Sequence, residues 1–164
     1  MALFDFMKKD KKKEAKLYNL VEGEVISIEE VPDPVFSQKM MGDGFGVEPA
    51  NGEIYAPGEG KVVSVFPTKH ALGIELTNGV EVLVHIGVDT VELEGGPFEI
   101  HIKEGDKVSQ DTLLASVDLN ALDAAEKPQT VIVVFTNMDE VKSFTLDKTG
   151  PSSPGEAIGE VVVN

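Results

Sequence analysis

The run TKHALGIELTNGVEVLVHIGVDTV, residues 68–91, restricts the fold more than any other stretch of the chain. Asn78-Gly79 lies in its middle, with apolar-rich segments on both sides. Asn-Gly is the strongest short-range hairpin signal, because both central residues of a two-residue type I′ turn need positive φ. A turn at 78–79 sets Thr77 opposite Val80, Leu72 opposite His85, His70 opposite Gly87 and Thr68 opposite Asp89. Side chains alternate along a strand, so His70, Leu72 and His85 share a face. The two imidazoles become diagonal neighbours, roughly 7–8 Å apart at Cα. Thr68 and Asp89 lie beside them if the ladder runs that far. Val80, Val82, Val84 and Ile86 form the other face, which is the natural core.

From Val21 onward the chain keeps this β character, with short Val- and Ile-rich runs punctuated by Gly, Pro, Asn and Asp. A faint repeat is present. GEVISI from Gly23 matches GKVVSV from Gly60, and GVEPANGEIYA from Gly46 matches GIELTNGVEVL from Gly73. Residues 23–56 and 60–83 therefore read as two copies of one β unit. The first copy is longer by about ten residues, which fall in 29–45, a candidate functional loop. Val35, Phe36, Met40 and Met41 make that loop apolar, as core plugs or as a docking patch. Asp118 is a helix N-cap before LNALDAAEK, which Pro128 stops. Thr130–Phe135 is a strand buried on both faces, and Ala157–Val163 is a last strand. The expected fold is an all-β sandwich or barrel, with one short helix among about a dozen strands.

The net charge is −15. Residues 1–16, MALFDFMKKDKKKEAK, hold six lysines against three acids, a surplus of three that leaves −18 for the rest. These residues read as a separate arm, either a basic amphipathic segment suited to an anionic membrane surface or a solvated, disordered tail. Residues 17–164 form the expected β domain. So acidic a body argues against nucleic acid and suits basic protein partners. All fourteen basic residues are lysine, so the chain has no bidentate fork for a phosphate. It has no cysteine, which excludes disulfide and thiol chemistry. No signal peptide and no membrane-spanning apolar run is visible, which places the chain in the cytoplasm, membrane-peripheral if the arm binds lipid.

Two histidines on one patch fit three chemistries. One imidazole can act as a phosphoryl nucleophile while the other stabilises the product. Both can ligate zinc, although two ligands are incomplete unless Asp89 or a partner joins them. They can also form an acid–base couple in a hydrolase. No His-x-His, HExxH or nucleophile elbow accompanies them. His101 has no comparable neighbour and reads as structural or surface.

The stretches VPDPVFSQKMMGDGFGVEP, APGEGKVVSVFPTKHALGIEL, GVEVLVHIGVDTVEL, EGDKV and TNMDEVK closely resemble the glucose-type enzyme IIA of the bacterial phosphoenolpyruvate:sugar phosphotransferase system. The likeness runs from about Val21 to the C-terminus. It implies a flattened β-sandwich or barrel built from a duplicated motif. It also implies a phosphotransferase component that takes a phosphoryl group from phospho-HPr on Nε2 of His85 and passes it to a cysteine of an enzyme IIB domain. By the same resemblance His70 hydrogen-bonds the phosphoryl group, Thr68 orients His70, and Asp89 and Asp139 are acidic residues that meet basic residues of partners. Phe36 and Phe66 match an apolar docking rim in which Leu83 replaces a third aromatic; Val35 and Met41 extend it. No cofactor is required, although relatives bind zinc through the two histidines plus a partner carboxylate. The rival reading is a zinc hydrolase or a non-transferring binding module on a related sandwich.

Overall fold

The computed structural model describes residues 13–164. Fourteen strands, all paired antiparallel, form three sheets. The strands are β1 (Glu14–Tyr18), β2 (Gly23–Ser27), β3 (Gly44–Pro49), β4 (Glu53–Tyr55), β5 (Gly60–Val65), β6 (Ala71–Leu76), β7 (Glu81–Ile86), β8 (Phe98–Ile100), β9 (Lys107–Val108), β10 (Leu113–Val117), β11 (Val131–Phe135), β12 (Val141–Leu146), β13 (Gly150–Ser152) and β14 (Ala157–Val163). The large sheet runs β13-β2-β3-β11-β7-β6-β5-β9, and two smaller sheets, β4-β10-β8 and β1-β14-β12, complete an all-β sandwich. Two short helices accompany them, α1 (Pro34–Ser37) and α2 (Leu119–Ala124). As expected, Asp118 caps α2, its carboxylate accepting from the Ala121 N–H.

The repeat seen in the sequence is a repeat of paired strands. β2 pairs with β3, β5 pairs with β6, and the two pairs flank β11 and β7 in the large sheet. β11 is buried along its whole length, as its unbroken apolar run requires. Val131, Val133 and Phe135 enter the main core between the sheets. Ile132 and Val134 enter a second, smaller cluster on the opposite face, with Ile26, Ile28, Val31, Phe36 and Val88. The extra residues of the first copy build that second cluster. Ser27 opens a 3₁₀ turn at Ile28–Glu30 through a capping box, and Asp33 caps α1, which has Pro34 at its first position. α1 thereby carries Phe36 onto the sheet face that the main core does not use.

The structure corrects the hairpin register. Leu76 bonds to Val80 across Thr77, Asn78 and Gly79, so the loop has three residues and not two. Gly79 has φ 92°, whereas Asn78 does not take the positive φ that a type I′ turn demands. Asn78 is held by tertiary bonds instead. Its amide donates to the carbonyls of Lys13 and Val161 at 3.0 and 3.1 Å, and its own oxygen accepts from the Val80 N–H. The register is therefore Ala71 opposite His85 and Leu72 opposite Val84, one residue from expectation. A slip of one exchanges the faces. Leu72 lies in the main core beside Val84 and does not join the histidine patch.

Glu14–Tyr18 is a strand paired with β14, so residues 14–16, placed by sequence in the arm, belong to a sheet. Of the rest of the expected arm, residues 1–12 lie outside the described residues. Among the described residues no helix is long and apolar enough to cross a membrane.

Candidate functional site

His85 is the fifth residue of β7. Val82, Val84 and Ile86 point into the main core, so His85 and Leu83 point to the other face, beside the second cluster. Leu83 packs against that cluster, and the Phe36 ring lies 5.1 Å from the His85 ring. After Ile86 the chain leaves the sheet at Gly87, whose φ is 79°. This turn brings the Gly87 carbonyl back to Nδ1 of His85 at 2.7 Å. A Cβ on residue 87 would stand 2.5 Å from Cγ2 of Thr90 and 3.1 Å from the Pro128 carbonyl oxygen, so glycine is needed both for space and for φ. Thr90 is fully buried and its hydroxyl donates to the Ile86 carbonyl, which braces the same turn.

His70 reaches the site by a different route from the one the sequence suggested. It precedes β6, in the four-residue loop Pro67–His70 between Phe66 and Ala71, which bond to each other across it. Lys69 takes a left-handed conformation, φ 63°, and its N–H bonds to the Phe66 carbonyl. Strict alternation does not bind a residue outside the strand. The loop sets the His70 ring 4.9 Å from the His85 ring, nearly perpendicular to it. The pair is made although the ladder expected to create it runs one residue out of register. Thr68, in the same loop, places its hydroxyl 2.7 Å from Nδ1 of His70. Phe66 closes the row, its ring edge-on to His70 at 5.5 Å.

The other expected site residues divide. Asp89 is exposed in the turn after β7 and is one of two carboxylates whose field His85 feels. The other is Asp33, the α1 cap, which the sequence reading passed over. Asp-Pro ahead of an apolar residue is a legible cap signal, but nothing local says that the cap faces a histidine fifty residues on. Val35 and Met41 are exposed beside Phe36, as a docking patch requires, and Phe66 is partly exposed. Phe36 itself is buried, only 6% exposed, so it forms a wall of the site and not an open rim. Asp139 lies in the 3₁₀ turn Met138–Glu140 between β11 and β12, and is not among the charges that act on His85. Met138 is an exposed apolar residue that the sequence reading did not select; it adjoins Gly42, next to Met41. His101 stands apart, bonded through Nε2 to Ser116 at 2.8 Å.

Burial holds the His85 imidazole down at about 4, well below its ordinary value. The Gly87 carbonyl opposes this, nearby His70 adds to the lowering, and Asp33 and Asp89 oppose it weakly. Burial also lowers His70. Both rings are therefore neutral near pH 7. A neutral His85 whose Nδ1 faces a carbonyl oxygen must carry its proton on Nδ1 and donate it to Gly87. Nε2 is left with a free lone pair. When the Thr68 hydroxyl donates to Nδ1 of His70, His70 takes the complementary tautomer, with Nε2–H as a donor. One ring then offers a nucleophile and the other a hydrogen-bond donor, side by side. Among the described residues no three His, Asp or Glu side chains converge to hold a metal, so the two imidazoles make an incomplete zinc set.

Residues 15–141 match the family model described as phosphoenolpyruvate-dependent sugar phosphotransferase system, EIIA 1. The chain belongs to that family. It is 43% identical over 148 residues to a glucose-specific EIIA component from Staphylococcus epidermidis, covering 90% of this chain and 89% of that one. It is 53% identical over 146 residues to a glucose-specific EIICBA component from Streptococcus pneumoniae, covering 89% of this chain but only 20% of that longer protein. The solved glucose permease IIA from Mycoplasma capricolum superposes with a TM-score of 0.82 at 37% identity, covering 91% of this chain and 96% of that one. Membership makes the chain an EIIA component of a sugar phosphotransferase system, and the all-β sandwich agrees with the fold expected from its sequence.

Proposed function

We propose that this chain is a phosphohistidine carrier that accepts a phosphoryl group from phospho-HPr on Nε2 of His85 and delivers it to a cysteine of an enzyme IIB domain. The observation that carries the reading is the bond from Nδ1–H of His85 to the Gly87 carbonyl, which leaves Nε2 as the free nucleophile. In the first step the Nε2 lone pair forms the new bond to phosphorus, while the bond to the donor breaks and its electron pair leaves with the donor. In the second step a cysteine thiolate attacks phosphorus and the electron pair of the breaking P–N bond returns to Nε2. Phosphoryl transfer passes through a loose transition state with charge on the three equatorial oxygens. His70 Nε2–H donates to one of these oxygens, and its proton affinity rises beside the dianion, so it becomes the cation that balances the phosphoryl group. With no arginine in the chain, His70 takes the place that a guanidinium fork fills elsewhere.

Asp33 and Asp89 beside an exposed apolar rim of Val35, Met41 and Phe66 suit a partner with basic residues around an apolar patch. That the Streptococcus pneumoniae relative is named as one EIICBA protein supports a IIB domain as acceptor. The lysine-rich segment ahead of β1, residues 1–13, is proposed to touch an anionic membrane surface. The test of the carrier function is incubation with phosphoenolpyruvate, enzyme I and HPr. The wild type should gain one acid-labile phosphate, and His85→Ala should gain none. Full labelling of His85→Ala would overturn the reading.

A further inference from the structure

A second concavity adjoins the histidine pair. It has a volume of about 460 Å³ and lies between the end of β5 and the loop after β8, lined by Val65, Phe66, Ile100 and Ile102, with Lys69, Lys103 and Glu104 at its mouth. Phe66 is shared: it meets His70 edge-on and also forms a wall of the cleft. The cleft is thus one aromatic ring away from the imidazoles, and Lys69 is the residue before His70. Val65, Ile100 and Ile102 form its floor, and all three pack against the main core. The stem of Lys69 rests on Gly95, where a Cβ would stand 3.5 Å from its Cδ.

The charges are unusual for this molecule. Lys69 and Lys103 are both exposed, and among the described residues neither is in an ion pair. Glu104 leaves the mouth with a surplus of one positive charge, on a chain whose net charge is −15. At the other end of the ring row from Phe66, Asp33 caps the helix that carries Phe36 to His85, and its carboxylate acts on that ring. The face around the site therefore has an acidic side and a basic, apolar-floored side.

We infer that this cleft is a second anchor point of the docking face, taking an apolar side chain that stands next to a carboxylate on the protein that exchanges phosphoryl with His85. The inference rests on the carrier reading above. Charge complementarity selects the carboxylate, and continuity through Phe66 places it on the same partner as the phosphoryl chemistry. Two oppositely charged regions flanking one nucleophile also fix the orientation in which a partner lands, which one acidic patch would not do. The apolar side chain enters the concavity, and Lys69 and Lys103 meet the acid at its mouth.

The test measures transfer from phospho-HPr and transfer to an IIB domain separately, for the wild type and for Lys103→Glu. For the partner that uses the cleft, KM should rise about tenfold while kcat changes less than about twofold, and the dependence of KM on salt should weaken. In parallel, adding that partner to the ¹⁵N-labelled wild type should shift amide signals at 65–69 and 100–104 together with those around His85. If the wild type transfers phosphate but neither KM changes and the shifts stay at the histidine site, the cleft is not an anchor and this inference alone fails. If the wild type accepts no phosphate, the carrier reading fails and this inference with it. Binding of a small anion alone, with partner kinetics unchanged, would also overturn it.

Discussion

At the scale of single residues, one hydrogen bond decides the chemistry. His85 donates from Nδ1 to the Gly87 carbonyl, and the left-handed backbone at Gly87 aims that carbonyl. Gly87→Ala should therefore cost about 1–3 kcal/mol of stability, from the unfavourable φ and the 2.5 Å approach to Thr90, and should slow phosphate acceptance; denaturant melts and labelling rates check both. The lowered pKa of His85 gives a pH signature. The folded state resists protonation of a ring that the unfolded chain protonates near 6.5. Its contribution to stability is thus complete above pH 6.5 and is lost as pH falls toward about 4. In His85→Gln the fall in stability over that window should be shallower, by on the order of 3 kcal/mol at its acid end, as thermal melts across pH would show. His70 has a separate duty. His70→Gln keeps a donor but cannot become cationic, so it should accept phosphate from HPr, at a reduced rate, and fail to deliver it to IIB. Normal delivery by that variant would remove His70 from the charge-balancing role. Zinc on two imidazoles should bind weakly and slow phosphate acceptance, with a chelator restoring it; zinc retained through chelator dialysis would contradict this.

At the scale of elements, the strands were legible and their exact pairing was not. β11 and β14 follow from their apolar runs, and the helix after Asp118 follows from its cap. The hairpin register did not follow, although its Asn-Gly turn is the strongest local signal in the chain. Asn78 is held by the carbonyls of Lys13 and Val161, sixty-five and eighty-three residues away, and no local rule contains those contacts. Asn78→Ala strips those two carbonyls of their donor and the Val80 N–H of its acceptor. It should cost about 1–3 kcal/mol in a denaturant melt while leaving phosphate acceptance intact, since the turn lies at the far end of the hairpin from His85. The histidine pair itself was legible as two residues but not as a geometry. The loop through the left-handed Lys69, not the ladder, brings His70 to His85. Asp33 was missed for a related reason: its cap is local, but the ring it faces belongs to a distant strand.

At the scale of the whole molecule, the large sheet uses both faces for different purposes. One face closes the main core; the other carries a small cluster in which buried Phe36 backs Leu83 and His85, which sit half out of water. That half-burial keeps the imidazole neutral while leaving it open to a partner protein. Duplication of a two-strand unit explains the sheet, and the lengthening of one copy explains the cover over the second face, which was visible in the sequence only as extra apolar length. The account depends on which nitrogen of which ring carries the phosphate. Long-range ¹H–¹⁵N spectra of the imidazoles, recorded before and after phosphorylation by enzyme I and HPr, measure this directly. The account predicts Nδ1–H and an unprotonated Nε2 on His85 in the free protein, and phosphorus coupling on Nε2 of His85 afterwards. Coupling on Nδ1 of His85, or on either nitrogen of His70, would contradict it.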